Sequence, residues 1–169
     1  MTDTQATATP TAEAAAAFRA ALADTLTRNY RMVAQLAAGV PEDAALRPLV
    51  PGGSHMNWLV GHLVANRDEM LRTMGRDPVR AEADDEAFGY GSDAAGAATR
   101  PLTEQLRDYD LANPPLQQAV AELTPGLLAS SAGKRSVQER LAFLAWHETY
   151  HLGQLMLYRR AAGLESPIG

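Results

Sequence analysis

Residues 136–163, SVQERLAFLAWHETYHLGQLMLYRRAAG, carry the clearest structural signal in the chain. Ser136 and Glu139 have the spacing of a helix capping box, in which each residue bonds the other's backbone amide. Gly163 follows the last residues with helical periodicity, as expected of a glycine that ends a helix. The segment therefore predicts one long helix that ends at about Ala162. Its core-facing stripe holds apolar residues together with two histidines: Leu144, His147, His151, Leu155 and Tyr158.

Two more helices are predicted in the first half of the chain. Apolar residues recur at three- and four-residue steps from about Thr11, and Gly39 ends this first helix. A Pro-Gly-Gly breaker at 51–53 is followed by Ser54, the expected N-cap of a second helix. The apolar spacing carries this second helix to about Met74.

A further helix is predicted from about Pro101. Its apolar residues keep a seven-residue register across Pro114-Pro115, which favours one kinked helix over two separate ones. No segment has the alternating pattern of a strand. Four helices of this length predict an all-α four-helix bundle. The acidic segment 76–100, rich in Gly, Ala and Ser, is predicted to be a long loop between the second and third helices with little core-forming material.

Length and composition narrow the classes of function. The 169 residues suit one domain, which we place at 11–169 after a disordered tail over 1–10. The net charge of −5 and the scattered cations argue against nucleic-acid binding. No apolar run approaches ~18 residues, and no signal-peptide pattern is present. We therefore expect no membrane contact and a cytoplasmic location. The chain has no cysteine, so any metal ligands must be nitrogen or oxygen atoms.

All four histidines fall in the second and fourth predicted helices. His147 and His151 are four residues apart, so a helix places them on one side, where they can bind the same metal ion. His62 shares a stripe with Leu59 and can face this pair across the bundle. We therefore predict that His62, His147 and His151 bind one divalent metal ion. His55 is too far along its helix to join them easily, and is either a helix-start residue near the rim of the site or a solvated histidine.

Residues 147–151, HETYH, also match the H-E-x-x-H pattern of zinc hydrolases, in which the glutamate is the general base. This alternative lacks its usual context. The longer metzincin pattern fails, because its glycine and third histidine are missing here. The only later glutamate is Glu165, and no edge strand is predicted that could align a peptide. We expect Glu148 instead to pair with a neighbouring helix or with Arg159.

The segments HETYHLGQLMLYRRAAG and NWLVGHLVANRDEML resemble the DinB/YfiT-like superfamily of bacterial metal-binding four-helix bundles. The resemblance covers most of the chain. It implies that His62 of the second helix and the pair His147 and His151 of the last helix hold a divalent metal. Family members include transferases and isomerases that use low-molecular-weight thiols such as mycothiol or bacillithiol, and many have no known activity. The chain departs from a simple family pattern at Pro114-Pro115 and in the long acidic loop.

Three imidazoles on one divalent ion, for which we expect zinc or nickel, leave a coordination position open, as is typical of catalytic sites. Without cysteine, any thiol must be a diffusible molecule, and the resemblance implies a thiol-dependent transferase or isomerase acting on a small molecule. The alternatives are a metal that only braces the bundle and a stress-related binding protein. Related bundles pair through helix faces, so we expect a homodimer. The candidate polar contacts to a cofactor or substrate are Asn66, Glu69, Gln154 and Tyr158.

Overall fold

The computed structural model describes residues 8–81, 84, 86–89, 91–92 and 100–167. The four long helices are α1 (Ala12–Ala37), α3 (Met56–Thr73), α4 (Leu102–Ala121) and α6 (Val137–Ala161). The described part also holds two short helices, α2 (Glu42–Ala45) and α5 (Pro125–Ala129), and two antiparallel strands, β1 (Ser131–Ala132) and β2 (Arg135–Ser136). The predicted all-α four-helix bundle is confirmed.

The four long helices surround two apolar clusters. Helix α3 packs against α4 and α6, and α1 packs against the same two helices. One cluster joins the N-terminal halves of α1 and α6 to the C-terminal ends of α3 and α4. The other joins the opposite ends of all four helices. Helices α1 and α6 therefore run in one direction, and α3 and α4 run in the other.

This arrangement explains the long connection between α3 and α4. Two helices that run in the same direction need a crossover that returns along the bundle, which a short loop cannot provide. Segment 76–100 is that crossover, and contrary to prediction it contributes to the core. Phe88 is only 2% exposed, and the buried Arg80 lies 2.8 Å from the carboxylate of Asp108. Residues 82–83, 85, 90 and 93–99 of this predicted loop lie outside the described part of the chain.

A glycine inside α3 lets the crossover lie against that helix. A Cβ atom at Gly61 would come within 2.4 Å of the Phe88 ring, far closer than real side chains approach. The absence of a side chain at Gly61 thus makes room for the Phe88 ring. The backbone carbonyl of Phe88 then lies beside His62, the residue that follows Gly61.

The last helix begins and ends close to the predicted residues, and α4 begins where it was predicted. Ser136 accepts a hydrogen bond from the amide of Glu139, whose carboxylate accepts one from the amide of Ser136, so the capping box is present. Gly163, with a φ of +79°, follows the end of α6. Helix α4 continues through Pro114 and Pro115 as a single helix.

The start of α3 differs from the prediction. Its N-cap is His55 rather than Ser54, because the His55 ring accepts a hydrogen bond of 3.0 Å from the amide of Trp58. An imidazole nitrogen here does what a serine or aspartate oxygen does at other helix starts. His55 is buried, so of the two predicted alternatives the helix-start residue is the right one and the solvated histidine is wrong.

The prediction that no strand is present is wrong for a short hairpin ahead of α6. Ser131 pairs with Ser136 and Ala132 with Arg135, which leaves a two-residue turn at 133–134. Gly133 has a φ of +70°, as the first residue of a primed hairpin turn requires. Strands of two residues are too short to show the alternation by which a strand is recognised in sequence.

The predicted disordered tail is described only in part. Most of the predicted tail, 1–7 of 1–10, lies outside the described residues, and 8–10 have no regular secondary structure. The single domain over 11–169 stays a prediction. Within the described residues, no helix has both the length and the hydropathy that crossing a membrane requires.

Candidate metal centre

Polar side chains lie between the two apolar clusters, about halfway along the long helices. They form two groups that share neighbouring positions of α6. The histidine cluster consists of His62 from α3 and His147 and His151 from α6. The arginine cluster consists of Arg67 from α3, Tyr109 from α4 and Glu148 from α6.

The three histidines bring their ring nitrogens to one point. The Nε2 atom of His147 lies 2.9 Å from Nε2 of His62 and 3.1 Å from Nε2 of His151. All three ligand atoms lie within 4.8 Å of one another. Nitrogens bonded tetrahedrally to one zinc-like ion at about 2.0 Å are about 3.3 Å apart, close to the 2.9 and 3.1 Å of the two pairs that include His147. The site therefore has the size that one transition metal ion needs.

Hydrogen bonds on the far side of two rings fix which nitrogen faces the centre. The Nδ1 atom of His62 lies 2.6 Å from the carbonyl oxygen of Phe88, and Nδ1 of His151 lies 2.6 Å from the amide oxygen of Gln154. Both oxygens only accept hydrogen bonds, so each Nδ1 carries the proton. In the neutral rings Nε2 then has a free lone pair, and these lone pairs converge with Nε2 of His147. A cation satisfies them, and such outer partners are a usual feature of metal-binding histidines.

The surroundings keep the three imidazoles neutral when no metal is bound. Burial lowers the pKa of His62, against the opposing effect of its bond to Phe88. Burial, and then the charges of His62 and Arg140, lower the pKa of His147. Burial lowers the pKa of His151 to about 4. Metal ligation requires the neutral form, so the cluster is ready to bind a cation at neutral pH.

Two openings reach the histidine cluster. The inner cavity, of about 440 Å³, is lined by residues that include His62, Asn66, Glu69, Arg140, Phe143 and His147. The outer cleft, of about 540 Å³, is lined by residues that include Trp58, His62, His147, Tyr150, His151 and Gln154. Aromatic rings form part of the walls: Trp58 stacks on His62 at 4.9 Å, and Phe143 stacks on His147 at 5.8 Å.

The coordination sphere formed by the chain is incomplete. Among the residues that the structure describes, no other histidine, aspartate or glutamate joins the three histidines. A metal ion held by three protein ligands keeps room for water or another small ligand. His62 and His147 line both the inner cavity and the outer cleft, so a small ligand could approach a metal ion held there from either side.

The arginine cluster, by contrast, is closed. Arg67 and Glu148 are both fully buried, and their closest charged atoms lie 2.9 Å apart. Tyr109 donates a second hydrogen bond to Glu148, and burial, followed by the Glu148 charge, raises its pKa well above the ordinary value. Arg67 also donates to Asn113 and to the carbonyl of Leu26. These bonds connect all four long helices.

This cluster decides what Glu148 does in the HETYH segment. One residue further along a helix turns the side chain by about 100°, so Glu148 faces the core while His147 faces the cavities. Its carboxylate is occupied by Arg67 and Tyr109 and does not line either opening. The predicted pairing with a neighbouring helix is confirmed, whereas Arg159 instead donates to carbonyls of Leu36 and Ala38.

Three of the four predicted cofactor contacts line one of the two openings. Asn66 and Glu69 line the inner cavity, where Asn66 donates to the carbonyl of Leu144 and Glu69 pairs with Arg140 at 3.0 Å. Gln154 lines the outer cleft and bonds His151. The hydroxyl of Tyr158 is bonded to the carbonyl of Ser54, and Tyr158 lines neither opening.

Several site residues were missed by sequence reasoning. Arg67 follows Leu63 by four residues and thus stands on an apolar stripe, a position where an arginine signals a buried partner. Gly61, inside a helix and next to a candidate ligand, signalled a close backbone approach. No such signal pointed to the carbonyl of Phe88, because a backbone acceptor has no identity in sequence.

Fold and site together define a four-helix bundle with a buried three-histidine group that could hold a metal ion. A family model described as the DinB superfamily matches residues 25–155, a span that includes all three histidines. The match covers most of the 169 residues, and the chain belongs to the DinB superfamily. The sequence matches no curated protein.

Proposed function

We propose that the protein binds one divalent transition metal ion through Nε2 of His62, His147 and His151, with zinc or nickel as the expected ion. The observation that carries this proposal is the convergence of three Nε2 atoms while two of the Nδ1 atoms are held by outer acceptors. Burial disfavours protonation of these imidazoles, so their converging lone pairs are free to bind a metal ion at neutral pH. Imidazole suits zinc, copper, iron and nickel, so the ligands alone leave the element open.

We propose further that the site belongs to a transferase or isomerase that uses a low-molecular-weight thiol. Support comes from the open coordination position, from the two openings and from the lack of any cysteine in the chain. The family resemblance favours the same chemistry. A bound divalent metal would lower the pKa of a thiol that binds to it, and the resulting thiolate is a nucleophile at neutral pH.

The chain's own residues would orient and shelter the reacting groups. Gln154 and the carbonyl of Phe88 hold the rings of His151 and His62 in one orientation. Trp58 and Phe143, stacked on two of the ligands, limit the access of water to the centre. Asn66 and Glu69 place polar atoms along the inner cavity, where an electrophilic acceptor would enter.

A metal that only braces the bundle is the second candidate. It is favoured by the distribution of the ligands, which would tie α3 to α6. The two candidates differ in the open position, since a brace needs no exchangeable ligand.

The test is a titration of cobalt(II)-loaded protein with several small thiols, followed by absorption spectroscopy. A sulfur-to-metal charge-transfer band that saturates with thiol, together with turnover of electrophilic acceptors, is expected. His147→Ala, loaded in the same way, is the control and should show no such band. Absence of a band and of turnover with every thiol would leave the structural brace as the better account.

A second variant separates thiol transfer from hydrolysis. Glu148 faces Arg67 and not the histidine cluster, so Glu148→Gln should lower thiol transfer only modestly when measured below its unfolding temperature. A hydrolase of the H-E-x-x-H type would lose nearly all activity in the same variant, because its general base would be gone.

We also propose that the protein forms a homodimer. Support comes from the outer face of α6, where Trp146, Tyr150 and Leu157 are each more than half exposed. Light scattering at micromolar concentration should give the mass of two chains, and a clean monomer would contradict this.

A further inference from the structure

A second cleft adjoins the inner cavity at the β-hairpin. We call it the basic cleft, and its volume is about 600 Å³. It shares three lining residues with the inner cavity, Glu69, Arg72 and Arg140, so the two lie side by side. The Glu69–Arg140 ion pair, with both side chains part-exposed, stands at the boundary between them.

The basic cleft concentrates positive charge in an acidic protein. Four of the chain's fifteen lysines and arginines line it, against the single carboxylate of Glu69. The whole chain has a net charge of −5. Such a local excess of one sign in a concave surface attracts a small ligand of the opposite sign. The four cations are Arg72, Lys134, Arg135 and Arg140.

Two of these cations are not held in a close ion pair, although the charge of Arg135 also acts on Glu139. Arg140 is paired with Glu69, but within the described part of the chain neither Lys134 nor Arg135 forms an ion pair. The hairpin fixes the backbone of both residues, since Lys134 lies in its turn and Arg135 in β2. The Arg135 guanidinium also lies 4.7 Å from the centre of the Phe143 ring. This contact restrains the Arg135 guanidinium, which therefore loses less freedom on binding than an unrestrained side chain would.

Phe143 links the basic cleft to the metal centre. Its ring contacts the Arg135 guanidinium and also stacks on the His147 ring, with 5.8 Å between the two ring centres. The Arg135 guanidinium and the His147 ring are thus separated by a single aromatic ring and its contacts. This distance is within the length of a small molecule with one polar group at each end.

We propose that the basic cleft binds an oxyanion group, a carboxylate or a phosphate, of the small molecule whose other end reaches the histidine cluster. Arginine and lysine recognise both groups through charge-assisted hydrogen bonds. The inference rests on the proposed function for the end of that molecule that binds at the histidine cluster. It assigns to Lys134 and Arg135 the role of selecting anionic over neutral substrates.

The first experiment compares thiols that differ only in charge. Cobalt(II)-loaded protein is titrated with mercaptopropionate, mercaptohexanoate and mercaptooctanoate, and with the mercaptoalcohols of the same lengths. At the best length the carboxylate should bind roughly tenfold more tightly than its alcohol. This advantage should disappear in Lys134→Gln/Arg135→Gln and weaken as salt is added. Arg107→Gln, which removes an exposed cation of α4, is the matched control and should keep it.

The second experiment needs no thiol. Zinc-loaded protein is titrated by calorimetry with glutarate and, separately, with inorganic phosphate. Binding by either anion that is lost in the double variant and kept in Arg107→Gln supports the inference, and the tighter anion identifies the preferred group. Binding that is equal in wild type and double variant, or no binding of either anion, would overturn it. If no thiol of either series gives a charge-transfer band while binding of glutarate or phosphate still requires Lys134 and Arg135, the thiol proposal fails and the anion site stands.

Discussion

The histidine cluster and the arginine cluster lie side by side on α6 and have opposite characters. His147 and Glu148 are consecutive residues, yet one faces two solvent-connected openings and the other is fully buried. In the arginine cluster both carboxylate oxygens of Glu148 accept hydrogen bonds from Arg67 or Tyr109, so the carboxylate needs no further partner. In the histidine cluster acceptor nitrogens face one another, so the group is complete only with a cation.

The difference shows how a five-residue motif can mislead. HETYH contains two metal ligands and a glutamate at hydrolase spacing, but the helix turns that glutamate away from the cavities. What separates a general base from a structural ion pair is the presence of Arg67 on the facing helix. The roles of His147 and Glu148 can therefore be tested independently of each other.

The largest stability effect is expected in the arginine cluster. Glu148→Leu leaves the charge of Arg67 buried without a partner and should lower the free energy of unfolding by about 3–5 kcal/mol. Urea denaturation of the metal-free protein measures this. The double variant Arg67→Met/Glu148→Leu removes both charges and should recover much of the loss.

The exposed pair Arg28 and Asp24, also an ion pair between arginine and carboxylate, serves as the control. Asp24→Ala should cost less than about 1 kcal/mol. A loss in Glu148→Leu as small as that in Asp24→Ala would show that the cluster does not hold the helices together.

A smaller effect is expected where the crossover supports the histidine cluster. Gly61→Ala would force the Phe88 ring, and with it the carbonyl that orients His62, away from α3. We expect a loss of about 1–3 kcal/mol in stability, as in other overpacked sites, together with weaker metal binding. Urea denaturation and a competition titration for zinc measure the two effects.

Gly153 of α6 provides the matched control. It also lies inside a helix, but a Cβ atom there would meet nothing within 4 Å. Gly153→Ala should be neutral or stabilise the protein by up to about 1 kcal/mol through helix propensity. Similar losses in both variants would mean that the contact with Phe88 is unimportant.

The smallest effect, taken per pH unit, is a pH dependence that arises in the histidine cluster. The pKa of His151 is about 4 in the folded metal-free protein and about 6.5 in the unfolded chain, which therefore binds more protons between these values. Stability should fall as the pH is lowered from about 6.5 towards 4, by at most about 1.4 kcal/mol per pH unit for this histidine.

Thermal unfolding of the metal-free protein at several pH values measures the slope. His151→Gln keeps a polar side chain but cannot be protonated, so its slope should be smaller than that of the wild type. Identical slopes would show that His151 is not held neutral in the folded state.

The sequence was sufficient for the features that depend on local pattern. The capping box at Ser136 and Glu139 and the glycine after α6 fix the last helix, and helical spacing alone puts His147 and His151 on one side. His62 followed from its position on a core-facing stripe of a second helix. These are consequences of helix geometry and need no tertiary information.

The features that were missed depend on how the helices are arranged. The partner of Glu148 became clear only with α3 in place, and the role of segment 76–100 only with the directions of α3 and α4. The buried Phe88 stands in a polar, glycine-rich segment, and its core position depends on the missing side chain of Gly61. The hairpin that presents Lys134 is too short to have a pattern.

The most direct test of the account is the metal content of purified protein, measured by elemental analysis after loading and removal of excess metal. One transition metal ion per chain is expected in the wild type and in His55→Ala, because His55 caps α3 and does not join the cluster. His147→Ala and His151→Ala should lose it, and His62→Ala should lose nearly all of it. A wild-type protein without stoichiometric metal after loading, or a loss in His55→Ala equal to that in His62→Ala, would contradict the assignment of the three histidines as a metal site.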